Sequence, residues 1–170
     1  MTDHGSEPAA RLEISSAEQF KALGHPLRHR LLFALGQDSA TISQLAKTLD
    51  TRKGNIAHHL GVLRDAGMVT AAGTRQVRGG TEQYYQRSAR IFDFVGEGAR
   101  ANTSVSLQAM AADLESSTGE PLLNLRNIRL TERQATELMD KLDGLVDSLE
   151  DAGPGEARYG VLAAVYRPRQ

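Results

Sequence analysis

The residues with chemistry to offer crowd into the first half of the chain. Arg52, Lys53, Asn55, His58 and His59 fall close together, and Arg75 and Arg78 follow within twenty positions. Guanidinium and ammonium groups at this density neutralise phosphates, while Asn and His side chains can hydrogen-bond to base edges. Catalysis would need more than the two adjacent histidines. No nucleophile motif, phosphate-cradling glycine loop or paired-carboxylate site accompanies His58 or His59, so no enzyme is expected. The histidines are His4, His25, His29, His58 and His59, with none beyond, and cysteine is absent. Zinc needs three or four convergent ligands, which this spacing does not offer. Without cysteine, disulfides and thiolate-ligated metal clusters are excluded, and no cofactor is expected.

The net charge of −1 conceals a segregation. Residues 1–19 carry one Arg against four acids, residues 20–90 carry eleven Lys/Arg against four acids, and residues 91–170 carry eight against thirteen. The middle is therefore basic by seven charges and both flanks are acidic. Such a segment suits a module that touches phosphates while the rest of the chain is kept away from them. No apolar run approaches the ~18 residues of a membrane span, and residues 1–11 are polar, without the apolar stretch of a secretory signal. A soluble cytoplasmic protein with no membrane partner is expected.

These candidate residues need elements to position them. Ser16 with Gln19 makes a capping box for a first short helix carrying Phe20 and Leu23 and ending at Gly24. His25-Pro26 opens a second, with Leu27, Leu31, Leu32 and Leu35 at helical spacing until Gly36. Thr41 with Gln44 makes another capping box, before a helix that buries Ile42, Leu45, Ala46 and Leu49. After a break at Asp50, Thr51 can cap a helix with Ile56, Leu60 and Leu63 inward and Gly67 at its end. Met68 to Val77 and Thr81 to Arg87 read as strands joined at Arg78-Gly79-Gly80. The order helix, turn, helix, hairpin predicts a winged helix-turn-helix over residues 15–90, with residues 1–14 as a flexible segment.

On the wheel of residues 52–66 the outward positions are Thr51, Gly54, Asn55, His58, Gly61 and Val62. Small side chains there permit close approach to a groove. Asn55 and His58 are the specificity candidates, and Arg52 and Lys53 face phosphates. His59 lies nearer the buried flank, where packing competes with a phosphate contact. Arg75 and Arg78 bracket the hairpin tip and can follow the backbone or enter the minor groove. Arg64, Thr41 and Ser43 complete the candidate DNA-contact set.

Three segments carry a family resemblance: Ala22-Leu23-Gly24-His25-Pro26-Leu27-Arg28, Lys53-Gly54-Asn55-Ile56-Ala57-His58-His59-Leu60 and Leu63-Arg64-Asp65-Ala66-Gly67-Met68-Val69. Residues 16–90 thereby resemble the ArsR-type winged-helix regulators, and Val77 to Tyr85 resembles the wing of their actinobacterial branch. The resemblance implies a homodimer on a palindromic operator, usually a repressor that an effector releases. The cysteine pair through which founding members sense metals would lie in the helix occupied here by Thr41 to Leu49, which has none. The His and carboxylate site of other members, on a C-terminal helix, lacks its histidines here.

From Ile91 to about Ser116 the pattern is again helical, although Gly96 and Gly98 weaken its start. Thr131 caps a long helix in which Ala135, Leu138, Met139, Leu142, Leu145, Val146 and Leu149 recur in threes and fours. That stripe either closes a dimer, with Phe20 of the first helix contributing, or forms one wall of an intramolecular core. Asp151 to Glu156, with Gly153-Pro154-Gly155, reads as a loop. Tyr159 to Tyr166 reads as a buried strand, with Leu122 to Leu130 as its partner. The fold class is thus mainly α (α+β), with residues 91–170 a mostly helical dimerisation region that leaves a small sheet and an unidentified small-molecule effector pocket open. The rival functions are a winged-helix protein-interaction module that does not touch DNA, and an RNA binder. The basic residues argue against the first, and the lack of exposed stacking aromatics argues against the second.

Overall fold

A computed structural model describes residues 7–36, 38–153, 155–157 and 159–168 of the chain. The chain divides into two units, Met1–Pro121 and Leu122–Gln170.

The first unit has a winged helix-turn-helix at its centre. Ser16 and Thr41 cap α1 (Ala17–Leu23) and α3 (Ile42–Thr48) through complete capping boxes with Gln19 and Gln44. Between them lies α2 (Pro26–Leu35), with Pro26 in its first turn and the His25 side chain accepting from the Leu27 amide. Asp50, at φ 47°, makes the tight break before α4 (Lys53–Asp65), the one non-glycine residue in the left-handed region among the described residues. Gly67, at φ 75°, turns the chain out of α4 into the hairpin of β3 (Val69–Val77) and β4 (Gly80–Arg87). A two-residue strand, β2 (Ala40–Thr41), joins the far side of β4, so the sheet order is β2-β4-β3. That third strand ties the wing to the start of α3, because Thr41 pairs with Tyr84.

Apolar residues from every helix of this module meet in one cluster. Leu23, Leu31, Leu35, Leu45, Ile56, Leu60, Leu63 and Met68 are all fully buried. Burying each such side chain is worth roughly 1.5–3 kcal/mol, which fixes the rotation of α4 and hence the face it leaves exposed.

The flexible reading of residues 1–14 is corrected over its last part; residues 1–6 lie outside the described residues. Residues Ala9–Ile14 form β1, paired in parallel with β5 (Ala89–Phe94). Ile14 sits at 0% exposure in the core, and Arg11 clasps Asp93 with Nη1 at 3.0 and 3.1 Å from the two carboxylate oxygens. Only Leu12 and Ile14 are large and apolar in this strand and only Ile14 is buried, a signal too short to stand out from a polar segment. Helix likewise does not begin at Ile91. Residues 91–94 belong to β5, and α5 spans Glu97–Glu115. Gly98 lets α5 approach α1, since a Cβ there would lie 2.3 Å from the Phe20 ring. Phe20 is 7% exposed within its own chain, which leaves little of it for the dimer contact expected of it.

In the second unit, Thr131 caps α6 (Glu132–Asp147) through a third capping box, with Gln134. The two strands expected at 122–130 and 159–166 do not form among the described residues. Leu122 and Tyr159 are 89% and 87% exposed, and an isolated strand pair without a layer to pack on is marginal in water. Pro154 of the expected loop lies outside the described residues.

Candidate nucleic-acid interface

The inward residues of α4 are Ile56, His59, Leu60 and Leu63, so its exposed face carries Lys53, Gly54, Asn55, Ala57, His58 and Arg64. The face is turned slightly from the sequence reading. Ala57 is exposed, whereas Gly61 and Val62 are half-buried. A short apolar side chain flanked by Asn55 and His58 permits close approach, and the tighter inward packing of His59 accounts for the rotation.

Arg52 occupies the N-cap of α4 in extended conformation, and no side chain caps the helix there. Thr51, expected to do so, instead accepts a hydrogen bond at 3.3 Å from Asn55 Nδ2. Asp50, Thr51, Arg52 and Asn55 line a shallow open depression at this end. The first turn of α4 carries no acidic residue. The positive end of the helix dipole and the exposed side chains of Arg52 and Lys53 therefore add rather than cancel, as an anionic backbone requires. At the other end, exposed Arg64 contacts Asp65 at 3.4 Å, a weak pair that holds part of its charge.

His59 is placed with the core. It is 6% exposed, its ring centroid 4.4 Å from that of His25 and 5.1 Å from that of exposed His58. Burial first, then electrostatic repulsion from His25, Arg28 and His58, lowers its pKa, which favours the neutral ring. Its Nδ1 is buried without a hydrogen-bond partner. His29 is similarly internal, with Nε2 donating to the Leu23 carbonyl at 2.9 Å, and burial lowers its pKa.

Thr41 is corrected too. It is 2% exposed, and its hydroxyl accepts from the Gln44 amide, so its chemistry is spent on the cap of α3. Ser43 is half-buried in the first turn of that helix.

In the wing, Arg75 and Arg78 are both exposed. Arg75 stands opposite Glu82 across the hairpin, whereas Arg78 occupies the turn itself. Gly79 at φ 101° makes that turn sharp. Gln83 went unnoticed in the sequence, and it shapes the wing. The register slips between Ala71 and Gly73, and Gln83 Nε2 donates to the Gly73 carbonyl at 2.6 Å and to Tyr84's at 3.0 Å. A glycine inside a strand pattern is the signal of such a bulge. Arg87, at the base of the wing, lies over Phe92 at 4.5 Å and donates to the Arg90 carbonyl, a structural cation rather than a free one. Among the described residues no group of three or more His, Asp or Glu side chains is placed to hold a metal, and no helix is long and apolar enough to cross a membrane.

Residues 23–71 match the family model described as a helix-turn-helix domain. The chain is 36% identical over 70 residues to the biofilm growth-associated repressor of Agrobacterium fabrum, a match covering 39% of this chain and 60% of that protein. It is 39% identical over 67 residues to an HTH-type transcriptional regulator of Mycobacterium tuberculosis, covering 39% of this chain and 56% of that one. The chain therefore spans less than two thirds of the length of these relatives. Among solved structures it is similar to HlyU from Vibrio cholerae, with 21% identity, a TM-score of 0.36 and coverage of 56% of this chain and 85% of that one. It is also similar to the transcriptional repressor BigR from Xylella fastidiosa, with 22% identity, a TM-score of 0.35 and coverage of 55% and 81%. Residues 23–71 run from the end of α1 through α4 into the first wing strand, so the matched segment carries the helix-turn-helix and its exposed polar face.

Proposed function

We propose that the chain is a sequence-specific double-stranded DNA-binding transcriptional regulator of the ArsR type. It acts as a homodimer on a palindromic operator, as a repressor released by a non-metal effector. The observation that carries the reading is α4, packed by Ile56, Leu60 and Leu63 so that Asn55 and His58 face outward behind a bare, basic N-terminus. Arg52, Lys53, Arg75 and Arg78 supply sequence-independent attraction to phosphates, and Asn55 and His58 supply base discrimination. The relatives' names, a repressor and a regulator, point the same way. The protein works in the cytoplasm and has no catalytic role, since no nucleophile motif or paired-carboxylate site in the sequence accompanies His58, the histidine of this face.

A homodimer follows from the size of the reader. One winged helix reads only a few base pairs, and two symmetric copies supply useful specificity. Leu138, Leu142, Leu145, Val146 and Leu149 are the dimerisation residues. The test is selection of random-sequence duplexes by the purified protein over several rounds, followed by gel-shift at two salt concentrations. Recovery of a palindrome with steep salt dependence is expected. No enrichment, with weak binding at both salts, would overturn the proposal in favour of a winged helix that contacts only protein.

A further inference from the structure

The stripe of α6 is not covered by the described residues of its own unit. None of the described residues of 122–170 is buried, and within α6 Leu138, Met139 and Leu145 are 36%, 45% and 60% exposed. At 3.6 residues per turn, Ala135, Leu138, Met139, Leu145 and Val146 all lie within about 60° of Leu142 around the helix. The two edges of that stripe differ in charge. Gln134 and Lys141 border one edge, and Glu132 and Asp143 border the other.

This charge complementarity between the two edges fits a second copy of the helix and sets the direction of the pairing. Two copies of a helix packed antiparallel about a two-fold axis bring like edges together, so Lys141 meets Lys141 and the acidic edge meets the acidic edge. Packed in parallel, the two-fold runs along the helices and opposite edges meet. Lys141 of each copy then faces the Glu132 and Asp143 edge of the other, while Leu138, Leu142 and Leu145 lie against their own counterparts.

We propose that α6 pairs in parallel with α6 of a second copy of this chain, with Leu142 at the centre of the seam and Lys141 against the acidic edge. The inference rests on the dimeric part of the function proposed above and specifies its geometry; it does not depend on DNA binding.

The absence of cysteine makes the direction directly measurable in the full chain. A disulfide needs Cα atoms within about 7 Å. In a parallel pair the two copies of position 135 are neighbours, so Ala135→Cys is expected to give a covalent dimer under mild oxidation. In an antiparallel pair centred on Leu142 those positions would be about 21 Å apart. Ala135→Cys would then link only when mixed with Leu149→Cys. The exposed substitution Lys141→Glu, which spares the fold, is expected to raise the dimer dissociation constant roughly two- to fivefold per charge pair, and Asp143→Lys in the same chain is expected to restore it. Linkage confined to the mixture, an unaltered Lys141→Glu dimer, or a monomer by light scattering would each overturn the proposal. Gel-shift of the same unmodified sample scores DNA binding separately, so failure of the dimer geometry is distinguishable from failure of the DNA-binding reading.

Discussion

Replacing Arg78 with Ala should flatten the salt dependence of DNA binding by an amount set by its position. Besides Arg64, part of whose charge Asp65 holds, each copy exposes four cations on the candidate interface, Arg52, Lys53, Arg75 and Arg78. If every one neutralises a phosphate, a dimer makes about eight contacts, and the slope of log K against log salt is near −7. Arg78 lies in the turn of the wing, where no strand packs over it, so its loss removes one contact per copy and leaves the hairpin intact. The slope should fall in magnitude by about 1.8. Across a fourfold rise in salt, the variant should therefore lose roughly tenfold less affinity than the parent, while binding more weakly to every sequence at low salt. Fluorescence anisotropy on a specific and an unrelated duplex, at four or more salt concentrations, reads both quantities. An unchanged slope with unchanged affinity would show that the wing does not touch DNA.

Other expectations follow from the same geometry. Asn55→Ala should relax base preference at one position of each half-site, costing about 1–3 kcal/mol on the selected sequence and little on random DNA, as read by competition gel-shift. Thr41→Ala should lower the stability of the first unit by about 0.5–2 kcal/mol in urea unfolding through loss of the α3 cap, with DNA affinity of the folded protein unchanged. His29 and His59 are held neutral by burial, while in the unfolded chain both titrate at about 6.5. Below that pH the unfolded chain binds more protons, so stability should fall as pH drops from 7.5 to 5.5, and the urea midpoint should follow. A midpoint that does not move would contradict the buried neutral assignment.

What the sequence revealed, it revealed through strong local chemistry. The capping boxes Ser16/Gln19 and Thr41/Gln44 and the Thr131 cap each begin a helix where the sequence places it. The heptad-like recurrence of Ile56, Leu60 and Leu63 fixed the inward face of α4, and with it the exposure of Asn55 and His58. The departures are tertiary. The strand at Ala9–Ile14 depends on pairing with Ala89–Phe94, eighty residues away, which no local pattern encodes. Thr41 looked available for DNA because its burial comes from the pairing of β2 with β4, and Phe20 looked available for a partner because α5 covers it only where Gly98 allows. His59 was ambiguous on the wheel, and its packing against His25 resolved it. The apolar run at 159–166 resembled a strand, but none forms there among the described residues.

Hydroxyl-radical and methylation-interference footprinting of the protein on its selected duplex tests α4 as the reader of sequence most directly. Interference is expected at bases in two successive major grooves, with centres about 10 base pairs apart on one face, and Asn55→Ala should lose one base contact per half-site. A footprint confined to the phosphate backbone, indifferent to Asn55 and His58, would contradict the assignment of α4 as the reader of sequence.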